Sequence, residues 1–179
     1  KMSDELRQES KKQYLRYFRI WFIVAGLLAA ALLVTGILRS MKGGMPRANN
    51  AAPAERVYDY GDMLTDEEEE KLRKYISQKE GELGIDLVLV TMKQAVEGAD
   101  AKEQYGYRST GWEQNMQDIA DDFWDQRQYG YNKGFEGDGA LLLDNRYPGQ
   151  RGEHLSTSGR VEHRLSARDV EKVLNAVDR

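Results

Sequence analysis

An uninterrupted run of apolar residues near the amino end is the feature that most constrains this chain. Residues 20–38 read IWFIVAGLLAAALLVTGIL and contain no charged side chain in 19 positions. As an α-helix this segment spans about 28 Å, close to the roughly 30 Å hydrocarbon core of a bilayer. A buried helix of a globular domain usually keeps one polar face, and this segment has none. The sequence therefore predicts one transmembrane helix at residues 20–38.

The charges on either side of this segment predict its orientation. Residues 1–47 carry nine Lys/Arg and three Asp/Glu, whereas the rest of the chain carries 17 and 27. Basic residues are more frequent before the apolar run than after it, which favours a cytoplasmic amino terminus. A cleaved signal peptide is the alternative, but the charged head is long and no small-x-small site closely follows. We expect a single-pass protein of the cell membrane, with head 1–19 in the cytoplasm and the body outside.

The remainder divides into a linker and a body. Residues 39–55, RSMKGGMPRANNAAPAE, have the composition of a flexible linker. Residues 56–179 alternate apolar, β-branched runs with capped amphipathic segments, which indicates an α/β domain. The predicted strands are 57–60, 85–91, 140–143 and 154–158, and the predicted helices start near Thr65, Asp118 and Ser166. The acidic charge of the body argues against nucleic acid as a partner. The first partner that we expect is membrane lipid around residues 20–38.

Four short motifs, in order, resemble those of the TPM domain family. They are Val57, Asp59, Leu64 and Thr65; Gly84 with the strand 85–91; the stretch 123–143 with Gly130 and Asp138-Gly139; and Thr157-Ser158-Gly159 followed by Leu165-Ser166. The resemblance implies a Rossmann-like α/β/α sandwich with a mixed sheet, tethered outside the cytoplasm. Plant members are linked to acid phosphatase activity and photosystem repair, and an animal member to receptor modulation. The family pattern also leads us to expect a further helix, so we expect a domain truncated at its carboxyl end.

The stretch 131–144, YNKGFEGDGALLLD, invites three interpretations. A phosphate loop is excluded because its glycines precede a strand instead of following one. An EF-hand is excluded because Arg127 and Tyr129 occupy ligand positions. Two alternatives stay open: a turn before a strand, and a Ca²⁺ or Mg²⁺ site formed by convergent carboxylates. The candidate ligands of that site are Asp59, Asp121, Asp122 and Asp138.

Composition narrows the chemistry further. The chain has no cysteine and two histidines, which excludes disulfides and thiolate sites and disfavours a zinc centre. His154, Ser156 and Ser158 share one face of a predicted strand, but this spacing alone does not make a catalytic triad. The aromatic residues Tyr107, Trp112, Tyr129 and Tyr131 either pack onto the body or form a partner-binding face.

Two functions follow from these observations. The first is a membrane-anchored accessory or binding module for a membrane or envelope protein, with a divalent cation as its only expected cofactor and no organic one. The second, implied by the family resemblance, is a cation-dependent phosphatase of low activity, which requires carboxylates that grip a cation and a water.

Overall fold

A computed structural model describes residues 46–98 and 111–177 of the chain. The strands are β1 (Val57–Asp59), β2 (Asp86–Met92), β3 (Gly139–Tyr147) and β4 (Gln150–Ser158). The helices are α1 (Asp66–Leu83), α2 (Trp112–Gln126), α3 (Arg160–Arg164) and α4 (Ala167–Val177). In these two ranges, no helix combines the length and the apolar composition that a membrane span needs. The predicted transmembrane segment 20–38 lies outside the described residues.

The four strands form one mixed sheet in the order β1-β2-β3-β4. β1, β2 and β3 are parallel, and β4 returns antiparallel to β3 through a tight hairpin. All seven residues of β2 are buried, as expected for a central parallel strand covered on both faces. The predicted α/β class and mixed sheet are confirmed.

Apolar side chains fill both faces of this sheet. One core joins α1 and α3 to alternate strand residues, including Leu72, Ile76, Leu89, Leu142 and Val161. The other joins α2 to the intervening strand residues, including Val88, Val90, Met116, Ile119, Leu141 and Leu143. Since strand side chains alternate between the two faces, β1, β2 and β3 each contribute to both cores.

Helix α1 begins after Thr65, as its sequence predicts, and ends before Gly84. The Glu68 carboxylate accepts the Thr65 backbone N–H at 2.7 Å, which is one half of a capping box. At the other end Gly84 adopts the left-handed conformation (φ 65°), and its N–H donates to the Glu80 carbonyl at 2.8 Å. The acidic first turn stabilises the positive end of the helix dipole.

The direction of the strands defines two edges of the sheet. The carboxyl edge is where β1 to β3 end, near Asp59, Thr91 and Asp144, which are aligned across the strands. The amino edge is where β2 and β3 begin, at Asp86 and Gly139. β4 runs the other way, so its last residue, Ser158, also lies at the amino edge.

Residues 46–55, called the docked segment below, contact the amino edge. The N–H groups of Ala48 and Asn49 both donate to the Tyr131 carbonyl at 3.2 Å. The buried Asn49 amide donates to the carbonyls of Gln128 and Gly130, each at 2.7 Å. The described residues therefore show the carboxyl-terminal part of the predicted flexible linker 39–55 packed on the domain, because its polar side chains find buried backbone partners.

Candidate functional site

A row of polar side chains crosses the sheet at the carboxyl edge. Asp59, Thr91, Asp144 and Glu153 are successive partners from β1 to β4. Each stands two positions along its strand from a residue of the α1-side core, namely Val57, Leu89, Leu142 and Leu155. All four side chains therefore point to the α1 side of the sheet. In open α/β sheets, ligands bind in the crevice outside the carboxyl ends of the strands.

Asp59 fixes the loop that leads from β1 to α1. One carboxylate oxygen accepts the backbone N–H groups of Met63 and Leu64, at 2.8 and 2.7 Å. The other oxygen accepts the hydroxyl of Thr91, a residue only 1% exposed. Both carboxylate oxygens of Asp59 thus accept hydrogen bonds from the protein itself, and the carboxylate is held in one orientation.

Arg146 joins the other two carboxylates of the row. Its Nε lies 2.7 Å from an Asp144 oxygen, and its Nη2 lies 2.8 Å from a Glu153 oxygen. Asp144 is 2% exposed, so this pairing offsets the cost of burying its charge. One guanidinium faces two carboxylates here, so the row as a whole, with Asp59, stays net negative.

Asn145 anchors the rim of the crevice from the opposite face of β3. Its amide N–H₂ donates to the carbonyls of Gln94 and Gln150, each at 3.0 Å. Its side-chain oxygen accepts the backbone N–H groups of Gln94 and Tyr147, at 3.3 and 3.2 Å. The loop after β2 and the hairpin between β3 and β4 are therefore held together beside the polar row.

The four predicted cation ligands lie in separate places. Asp59 is at the carboxyl edge, whereas Asp138 precedes β3 at the amino edge, about 20 Å away along the strand. Asp121 and Asp122 lie on α2, and the Ser156 hydroxyl donates to Asp121 at 2.5 Å. Within residues 46–98 and 111–177, no three acidic or histidine side chains are grouped to hold a metal ion. The structure does not bring the four carboxylates together, and cation binding by any one of them stays a prediction.

Asp138 is tied to residues far along the chain. One carboxylate oxygen accepts the backbone N–H of Arg160 at 2.8 Å, at the start of α3. The other accepts the Arg160 Nε–H and the Asn132 amide, the latter at 3.1 Å. The side chain of Asp138 is 4% exposed. These contacts favour a structural role for the loop 131–138: it joins α3 to the start of β3.

A second group of charges surrounds Asp86 at the amino edge. This fully buried carboxylate pairs with Arg47, at 2.5 and 3.0 Å, and accepts the Gly130 N–H at 2.9 Å. Arg56 lies 3.5 Å from Asp86 and 2.5 Å from Glu80. Burial raises the pKa of Glu80, and the attraction of the Arg56 guanidinium opposes that shift. The two acids and two guanidinium groups balance each other, which suits a structural network.

His154 and Ser156 do not form a nucleophilic site. They face α2 from β4, where the Ser156 hydroxyl donates to Asp121. Burial lowers the pKa of His154, and the nearby Asp121 carboxylate partly opposes this shift. The Ser156 hydroxyl donates to a carboxylate and not to an imidazole, so the serine–histidine hydrogen bond of a catalytic triad is not formed here.

The described aromatic residues of the long middle segment pack onto the body. Tyr129 and Tyr131 are buried, and Trp112 packs against the α2-side core. The Tyr129 hydroxyl lies 2.6 Å from that of Tyr58 and donates to the Glu55 carbonyl at 2.8 Å. Of the two alternatives, packing onto the body is the one realised for these three; Tyr107 lies outside the described residues.

Sequence reasoning missed most of the polar row. It selected Asp59 but not Thr91, Asp144, Arg146 or Glu153. One signal was available: Asp144 directly follows the buried run 140–143, so it had to lie at the carboxyl end of a central strand. The contributions of Arg146 and Glu153 depend on the register of the hairpin, which the sequence does not state.

The comparison with protein families agrees with the motifs. The family model described as the TPM domain matches residues 57–177, which is more than half of the chain. This chain belongs to the TPM domain family. Neither the curated proteins nor the solved structures contain a significant match to it. The match ends where the described structure ends, and it begins at β1, after the docked segment.

Proposed function

We propose that this TPM protein is a membrane-anchored, extracytoplasmic module that binds a membrane or envelope protein through its carboxyl edge, without catalysis of its own. The observation that carries this proposal is that the carboxylates of the polar row already have partners within the protein. Its carboxylates already accept hydrogen bonds or ion pairs from Thr91, from loop amides and from Arg146. A row held in this way presents a fixed charge pattern, and such a pattern suits recognition.

The charges around the row support a partner with a basic surface. Asp62 and Lys93 are exposed beside it, and α1 begins at this edge with four acidic residues in its first turn. Acidic residues outnumber basic ones here. We therefore expect a partner that presents a basic surface, because complementary charges steer encounter and fix orientation. The apolar segment 20–38 is what motivates the membrane anchor.

A cation-dependent phosphatase of low activity is the alternative function. One observation favours it: Asp59 and Asp144 stand at the edge of the sheet where α/β enzymes usually bind ligands. Such an enzyme would need these carboxylates to hold Ca²⁺ or Mg²⁺ with a reactive water. Asp59 would then have to exchange some of its loop hydrogen bonds for the cation.

Site-specific crosslinking tests the binding proposal. A photoreactive side chain at Lys93 of the full chain, in its native membrane, should give a discrete adduct, and one at Lys133 on the opposite edge should not. Both lysines are exposed, which makes them a matched pair. The adduct at Lys93 should decrease when Asp66→Asn and Glu67→Gln remove exposed acidic charges. Equal adducts at both positions, unaffected by these substitutions, would contradict binding through the carboxyl edge.

A hydrolysis assay separates the two functions. The wild-type chain is given a phosphate monoester with Mg²⁺, with Ca²⁺ and with a chelator. The binding proposal expects no turnover under any of these conditions. Turnover that requires a cation, disappears in Asp59→Asn and persists in Asp121→Asn would establish the alternative.

A further inference from the structure

We infer that the amino edge of the sheet faces an anionic bilayer surface and that the carboxyl edge points away from it. This inference rests on the proposed membrane anchor. The structure adds to that proposal a defined orientation of the domain, set by the docked segment and by the distribution of charge.

The docked segment determines where the chain joins the domain. Arg47 makes two contacts with the fully buried Asp86 carboxylate, at 2.5 and 3.0 Å. Asn49 adds two donated hydrogen bonds to the loop 128–130. A charged, partly buried pair of this kind is among the stronger polar contacts in proteins. The domain is therefore attached at residue 47, on its amino edge.

The remaining connection to the predicted membrane segment is short. Residues 39–46 separate residue 38 from Arg47. Eight residues reach at most about 28 Å when fully extended. The amino edge is thus kept close to the bilayer, whereas Asp144 lies about 20 Å further along β3 than Asp138.

The difference in charge between the two edges favours the same orientation. At the amino edge, acidic and basic groups are balanced: Arg47, Arg56, Lys133, Arg160 and Arg164 against Glu80, Asp86, Glu136, Asp138 and Glu162. At the carboxyl edge acidic groups prevail: Asp59, Asp62, Asp66, Glu67, Glu68, Glu69, Asp144 and Glu153 against Lys93, Arg146 and Arg151. A bilayer with anionic lipids attracts cations and repels anions within a Debye length. Repulsion of the carboxyl edge therefore supports the orientation that the attachment sets.

The amino edge also carries exposed side chains suited to a lipid headgroup region. Phe135 is 44% exposed, and Lys133 is exposed beside it in the same loop. These side chains suit contact with headgroups. The carboxyl edge also exposes an aromatic ring, that of Tyr60 (56%), so the orientation itself rests on the attachment and on the charges. The expected consequence is that the polar row meets its partner away from the membrane surface.

Depth-sensitive fluorescence tests this orientation. The chain has no cysteine, so Lys133→Cys and Lys93→Cys each give one labelling position. Each full-length variant is labelled with the same fluorophore and reconstituted into vesicles of neutral and anionic lipid with nitroxide-bearing headgroups. We expect the label at position 133 to lose most of its emission and the label at position 93 to lose little. Equal loss at both positions, or greater loss at position 93, would overturn the inference.

Loosening the docked segment supplies a second readout. Arg47→Ala with Asn49→Ala should release residues 47–52, since Pro53 and Glu55 keep contacts with Arg56, Arg73 and Tyr129. The longest possible connection then increases from about 28 Å to about 49 Å. The difference in quenching between the two labels should then decrease, and Arg47→Lys should have a smaller effect. A folded double variant, judged by its melting transition, that keeps the full difference would show that the docked segment does not orient the domain.

Flotation separates this inference from the proposed anchor. If the chain does not float with vesicles at all, the membrane anchor itself is wrong and the orientation fails with it. If it floats but shows equal quenching, only the orientation is wrong. The difference in quenching between positions 133 and 93 could also appear in anionic vesicles and disappear in neutral ones. That result would assign the orientation to charge alone and overturn the role of the docked segment.

Discussion

Gly130 illustrates how a single residue shapes the amino edge. Its φ of 135° lies outside the range that side chains tolerate, and a Cβ there would lie 1.9 Å from the Gly134 carbonyl oxygen. We expect Gly130→Ala to lower the free energy of unfolding by at least about 2 kcal/mol. Gly81→Ala is the matched control, since a Cβ at that exposed position in α1 meets no atom within 4 Å. It should raise stability by about 0.5–1 kcal/mol. Denaturant unfolding of both variants measures the contrast, and equal effects would contradict it.

His154 should make the stability of the domain depend on pH. Burial lowers its pKa from the ordinary value of 6.5, so the unfolded chain binds a proton more readily than the folded one. Stability therefore rises with pH through this window and decreases as pH falls from about 6.5 towards the lowered pKa. Replacing the imidazole in His154→Gln should remove this part of the decrease. Unfolding free energies at pH 8 and at pH 5.5, compared between the two proteins, give the measurement; parallel decreases would show that His154 does not contribute.

Asp138 shows why residue roles were only partly predictable. The sequence placed it correctly in a glycine-rich loop before a buried strand, and both open alternatives followed from that position. Its main partner, Arg160, is 22 residues away, and only the antiparallel return of β4 brings α3 to this loop. Local sequence patterns do not encode such pairs, so the assignment required the structure.

The docked segment is the element whose role the sequence understated. Its composition is that of a linker, yet Asn49 is only 8% exposed and Arg47 pairs with a fully buried acid. We expect a chain that starts at residue 56 to melt at a lower temperature than one that starts at residue 46, because Asp86 loses a charged partner. Removal of one partner from a buried pair costs about 3 kcal/mol or more.

Single substitutions check that expectation without truncation. Arg47→Ala in the full chain should lower the melting temperature clearly. Lys74→Ala breaks an exposed pair, in which the side chains of Lys74 and Glu70 are 74% and 66% exposed, and should leave it nearly unchanged. Equal melting of both variants would mean that Arg47 contributes no more than a surface ion pair.

Elements with strong local signals were predicted well. β2 was expected at 85–91 and is found at Asp86–Met92, and the cap of α1 is where Thr65 and Glu68 indicate. α2 starts at Trp112 and not at Asp118, because Asn115 and Met116 are buried by tertiary contacts. β3 continues past Leu143 through Asp144 and Asn145, since their side chains find partners across the sheet. Because these strand residues are polar, the apolar pattern of the sequence does not show where the strand ends.

At the scale of the whole molecule, the layers were predictable but the handedness of the connections was not. β1, β2 and β3 follow each other in one direction across the sheet, while α1 and α2 pack on opposite faces. Two consecutive crossovers with this arrangement have opposite hands, so one of them is left-handed. Such crossovers are rare, and general rules would have placed both helices on the same face. The sequence carries no visible signal for the exception.

Selective labelling tests the predicted arrangement of the whole chain across the membrane. Six Lys/Arg precede residues 20–38 and three follow them up to residue 47, which favours a cytoplasmic head and predicts that the described domain lies outside. Because the chain has no cysteine, Lys93→Cys and Ser3→Cys each supply one thiol. A membrane-impermeant maleimide added to intact cells should label position 93 at once and position 3 only after permeabilisation. The labelling efficiency of each variant in a cell lysate, where the membrane no longer shields either thiol, serves as the reference. Labelling of position 3 but not position 93 in intact cells would show that the domain lies in the cytoplasm, and the proposed extracytoplasmic partner would then be excluded.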